Sequence, residues 1–154
     1  MTIIAEPKVH ITITIPQARA MVAALDIYMR LGLGQVQVVS EMVADETIPI
    51  KAGSRLPWVT PKGEMEDAVH HVTAWCHEIR RALGFLPGES YGVGNRAVSD
   101  EAHRAYEMEK VIQKVLALHD DPTPTFRGVH YDGLTVRYTG DPMPECVIEK
   151  GAAS

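Results

Sequence analysis

The sequence predicts an α+β domain: a small antiparallel sheet, made of an N-terminal strand and C-terminal hairpin strands, packed by three to four helices. Three observations carry that reading. Lys8–Ile15 (KVHITITI) alternates apolar and polar residues with the period of two of a half-buried strand. From Ser99 to His119 the apolar residues Ala102, Ala105, Met108, Val111, Ile112, Val115 and Leu118 recur at spacings of three and four, the stripe of an amphipathic helix. Further on, Asp132-Gly133 is a two-residue turn signal between Val129–Tyr131 and Leu134–Tyr138, which reads as a hairpin. Strands segregated from helices give α+β, and the N-terminal strand must join the C-terminal ones to avoid standing alone.

The elements follow in order. Pro16 ends the first strand and suits the first turn of a helix carrying Ala18, Met21, Val22, Leu25 and Tyr28 or Met29 on one face. That helix loosens at Gly32 and Gly34. The pair follows a helix rather than a strand, so it lacks the context of a dinucleotide fingerprint. A short helical pattern, Val36 to about Asp45, comes next. Glu46–Gly63 carries Pro49, Gly53, Pro57, Pro61 and Gly63 and reads as a long loop, with Trp58 near Arg55 and Lys62. Glu64–Leu83 is a helix closed by Gly84, with Arg80 and Arg81 favoured in its last turn by the helix dipole. Ser99 is the N-cap of the fourth helix, followed by the acidic Asp100 and Glu101. After the hairpin, Glu145–Glu149 reads as a last strand.

A chain of 154 residues fits one domain spanning 1–154, and 45% apolar with 23% charged residues is ordinary globular composition. The net charge of -5 argues against a nucleic-acid polymer as partner. No apolar run approaches the roughly 20 residues of a membrane helix, so no membrane partner is expected. The N-terminus lacks a signal peptide's pattern, and two cysteines make no disulfide framework, so a cytoplasmic location with reduced thiols is expected. His70, His71, Cys76 and His77 share a helix without the i, i+4 histidine spacing of a zinc pair, so no metal site and no cofactor is read here.

The loop Ser90–Ser99 is the first candidate for ligand contact. Gly92 and Gly94 permit close backbone approach, Asn95 tolerates a left-handed conformation, and Arg96 adds a cation. Asp100, Glu101 and His103 are the nearest acid–histidine group, which an enzymatic alternative, a nucleotide hydrolase, would use. A third class is a host-interaction protein acting through the proline-bearing loop and Trp58.

The stretches Ala24–Gln35 (ALDIYMRLGLGQ), Tyr91–Ile112 (YGVGNRAVSDEAHRAYEMEKVI) and Asp141–Glu149 (DPMPECVIE) resemble the phage anti-Thoeris sponge proteins of the first type. The likeness lies in scattered blocks, and Glu46–Gly63 has no counterpart. The resemblance implies a non-catalytic protein that sequesters a cyclic ADP-ribose-type immune signal, in some members cyclic oligonucleotides, as a dimer or hexamer of α+β protomers. It also implies ligand contacts from Phe85, from Asn95, and from a C-terminal arginine, either Arg127 or Arg137. Such a ligand presents an adenine face, riboses and a pyrophosphate, for which Tyr91, Trp58 and Arg96 are further candidates.

Overall fold

The computed structural model describes residues 8–51 and 61–149. Four helices organise them: α1 (Ile15–Gly32), α2 (Val38–Ala44), α3 (Pro61–Ala82) and α4 (Asp100–Asp120), followed by a single 3-10 turn at Val129–Tyr131. α1 packs along α4 and α2 along α3; the two pairs meet through a smaller α1–α2 contact, and the 3-10 turn sits on α4. Among the described residues no helix is long and apolar enough to cross a membrane.

The helices lie where the periodicity places them, and their ends show why. α1 opens with a capping box: Thr14 Oγ1 accepts from the Gln17 amide at 3.4 Å, and the Thr14 amide donates to Gln17 Oε1 at 2.9 Å. Ser99 Oγ accepts from the Ala102 amide at 3.3 Å and caps α4. α3 begins at Pro61, three residues before the expected Glu64.

Two small clusters form the core between α1 and α4. Ala18, Ile112 and Leu116 gather Ile15, Met21, Val22, Leu25 and Cys146 around them. Leu33, Val98 and Ala102 gather Met29, Tyr91 and Val93 at the other end. The helices approach closely there, since a Cβ on Gly32 would lie 2.6 Å from the Ala102 Cβ. Ion pairs such as Arg19–Asp120 at 2.7 Å and Arg30–Glu41 at 2.7 Å bind the elements at the surface, where each contributes at most about 1 kcal/mol.

The expected α+β architecture is not what forms. Among the described residues there is no strand and no sheet, and every regular element is a helix. Residues 8–13 are exposed and irregular, with Val9 86% exposed, and Lys8 pairs with Glu145 of the C-terminal segment at 3.6 Å. The expected hairpin does not form, because its residues take other partners. Tyr131 N donates to Gly128 O and Asp132 N to Val129 O, so the segment winds into a 3-10 turn. Gly133, at φ +69°, then lies against the Lys114 side chain with no room for a Cβ. The amides of Tyr138 and Thr139 bond to a side-chain carboxylate rather than to a neighbouring strand. Glu145–Glu149 also stays irregular.

α4 is the central helix, and two carboxylates are buried on it. Glu109 is 1% exposed, with Oε1 3.3 Å from Lys110 Nζ and Oε2 without a partner. Burial raises its carboxyl above the ordinary range, against the pull of Lys110. The folded state therefore favours the neutral acid: the associated stability is full below the unfolded carboxyl's pKa and is lost as pH rises through the raised folded value. Glu109→Gln should raise the melting temperature at neutral pH and leave stability at acid pH little changed, as followed by circular dichroism at both pH values.

Gly32→Ala sets two effects against each other. Helix propensity favours alanine, by less at this last residue of α1 than the about 1 kcal/mol of a helix interior, whereas overpacking against Ala102 costs about 1–3 kcal/mol. The variant should melt at a lower temperature than the wild type, and adding Ala102→Gly should restore part of the loss in the same thermal scans.

Candidate functional site

The segment between α3 and α4 is folded around Arg80. This side chain is buried, and its Nη2 donates to the carbonyls of Leu86 and Glu89. The Phe85 amide returns to Arg80 O at 3.0 Å, after Gly84 has taken φ +87°. Glu89 Oε2 accepts from the Leu86 amide at 2.8 Å, closing the turn from the other side.

This winding delivers Phe85 to the end of α1. Its ring covers Gly34, where a Cβ would lie 2.5 Å from the ring carbon Cζ, and it meets Tyr91 edge to face at 5.1 Å between centroids. Tyr91 is fixed in turn by its amide, which donates to Leu33 O at 2.9 Å. Beside Phe85 lies a cavity of about 180 Å³ lined by His77, Glu78, Arg80, Arg81, Leu86 and Pro87. Arg81 is exposed and pairs with Glu78.

The glycine loop is held from beneath. Buried His103 bonds through Nε2 to Val93 O at 2.7 Å, and its ring stacks on Tyr138 at 5.1 Å. The irregular segment 136–141 thus becomes a strap across the start of α4. Glu107, 2% exposed, accepts from the Tyr138 amide at 2.7 Å and from the Thr139 amide and hydroxyl at 2.9 Å each. Arg104 Nε reaches Asp141 Oδ2 at 2.5 Å. Gly94 lies under Tyr138, where a Cβ would come within 3.2 Å of the ring. Burial pushes the Glu107 carboxyl up, but the strap's hydrogen bonds and the Arg137 charge outweigh it and hold the carboxyl below its ordinary value.

Of the residues expected at the site, Phe85 and Tyr91 come together. Asn95 is exposed and uses its side chain in the turn, Oδ1 accepting from the Ala97 amide at 2.9 Å. Arg96 is exposed with no partner among the described residues. Arg137 is on the strap, donating to Asp141 O, next to the Tyr138 that touches the glycine loop. Arg127 stands exposed on the connector before the 3-10 turn, also without a partner among the described residues. Trp58 lies outside the described residues. His103 of the acid–histidine group is turned to Val93 O, while Asp100 and Glu101 stay exposed. His77, Arg80 and Arg81 were legible only as a histidine and two helix-end cations; their gathering at Phe85 needs the fold. Glu107 carried no signal beyond a charge between apolar neighbours.

No family model, no curated protein and no solved structure matches this chain.

The strap should respond to acid through Glu107. Its folded value is depressed, so the stabilisation is present above the unfolded carboxyl's pKa and is lost as pH falls through the lowered folded one. The protection of the Tyr138 and Thr139 amides against hydrogen exchange, taken relative to the unprotected rate at each pH, should fall over that acid range. In Glu107→Ala the same amides should exchange at least about 10-fold faster at neutral pH, the loss of about 1.4 kcal/mol or more expected for hydrogen bonds to a charged group.

Proposed function

We propose that this chain is a non-catalytic binding protein that sequesters a cyclic nucleotide of the cyclic ADP-ribose type. The observation that carries the reading is the half-buried Phe85 ring forming one wall of a cavity that also holds Arg80, Arg81 and His77. An aromatic wall suits a purine, and guanidinium and imidazole N–H groups suit phosphate oxygens. The ring is held by Tyr91 and by the bare backbone of Gly34, so its orientation is set before any ligand arrives. The likeness of Tyr91–Ile112 to the sponge proteins accords with this reading. The cavity's 180 Å³ is below the roughly 300–1,000 Å³ of drug-sized sites. It therefore takes one moiety, a base or a phosphate, while the rest of the ligand lies along the glycine loop toward Asn95 and Arg96.

The test is depletion of cyclic ADP-ribose from solution, followed by heat release. The protein should deplete the nucleotide and return it intact. Phe85→Ala and Arg81→Ala should each weaken capture by roughly 5- to 150-fold, the range for one stacking or charge-assisted contact. Absence of depletion, or unchanged affinity in both variants, would remove the reading. Recovery of linear product would favour the hydrolase alternative instead.

A further inference from the structure

α3 has two apolar faces, and α2 packs on one of them. Met65, Val69 and Thr73 border α2, and buried Cys76 donates to Val36 O at 3.4 Å on that same side. Among the described residues no helix other than α2 packs against α3. A second set, Ala68, Val72, Trp75, Ile79 and Ala82, runs at spacings of four, three, four and three. That is the 3.5-residue period of a helix–helix seam. Along it Trp75 is 64% exposed and Ile79 47%, with Leu83 at 62% and Leu86 at 69% continuing the patch past the helix end. Exposed apolar side chains are ordinary one by one; a contiguous row in seam register marks an interaction surface.

We propose that a second copy of this chain covers the seam, the two α3 helices lying antiparallel about a two-fold axis near His77. Such an arrangement sets Trp75 on Ile79 of the partner subunit twice across the axis, with Val72 facing the smaller Ala82 on either side. One surface then serves both copies, as a two-fold contact requires. The charged flank permits the approach, because Glu78 and Arg81 neutralise each other within each copy.

The area is sufficient. At 64% exposure Trp75 offers roughly 150 Å². With Ile79, Leu83 and Leu86 the patch gives roughly 500 Å² per copy, so the pair buries about 1,000 Å², the lower bound for specific association. Trp75 and Ile79 do not line the Phe85 cavity, whereas Leu86 borders both surfaces, so substitutions at Trp75 and Ile79 test this inference apart from the ligand reading.

Sedimentation velocity of the full chain at micromolar concentration tests it. The wild type should sediment as a dimer of its 16.9 kDa chain. Trp75→Glu and Ile79→Glu should each raise the dissociation constant of that pair by about 30-fold or more, as expected for central contact residues. Both substitutions fall on exposed positions, so helical circular dichroism should stay at the wild-type level, and Ile79→Leu should keep the wild-type mass. A wild type sedimenting at 16.9 kDa, or an assembly that Ile79→Glu leaves intact, would overturn the proposal.

Discussion

The close crossing of α1 and α4 at Gly32 and Ala102 is the constraint on which the remaining geometry depends. A glycine in a helix weakens it by about 1 kcal/mol relative to alanine. Here the missing Cβ lets the end of one helix rest on the start of the other. Leu33 and Val98 then close over Ala102, and Leu33 presents the carbonyl that takes the Tyr91 amide. Gly34, at φ +79°, turns the chain away and leaves flat backbone on which Phe85 lies. The aromatic pair is thus positioned by two glycines that a dinucleotide-fingerprint search would dismiss and a helix-breaker reading would only half explain.

α4 is enclosed on more than one side, and this explains how it tolerates two buried acids of opposite character. Glu107 faces backbone and hydroxyl donors from the strap, and their hydrogen bonds exceed its desolvation. Glu109 faces the α1 side, near the Asp26 charge and with one oxygen unpartnered, and there desolvation prevails. The two lie two residues apart, and their contributions to stability run in opposite directions with pH. Acid loosens the strap while relieving the strain at Glu109, so the strap is expected to release before the helix pair does.

Helix positions were readable because amphipathic periodicity and caps are local: Ser99 and Gly84 act within a turn of themselves. Strands were misread because a period-two pattern reports only that a sheet would accept the segment. It does not report whether a partner exists. Thr14 could serve a strand or an N-cap, and the Gln17 three residues later decided for the cap. Tyr138 and Thr139 had strand-like neighbours, yet a carboxylate 31 and 32 residues earlier took their amides. Asn95 was readable as a turn residue, and its Oδ1 is committed there. Arg80 was readable as a cation favoured by the helix dipole; its burial beneath its own loop depends on carbonyls whose placement no spacing rule supplies.

α3 separates the two surfaces through which this chain would act. Residues on one side of it reach Phe85 and the cavity, whereas the seam of Trp75 and Ile79 points elsewhere. A 22-residue helix held by a seven-residue one has little tertiary support of its own, since most helical stability comes from packing an apolar face. Covering the seam would steady the end of α3 that carries Arg80 and Arg81, and hence the wall of the cavity, without placing Trp75 or Ile79 in it. Assembly and ligand capture would then be coupled through the rigidity of a single helix, a form of coupling that needs no shared contact.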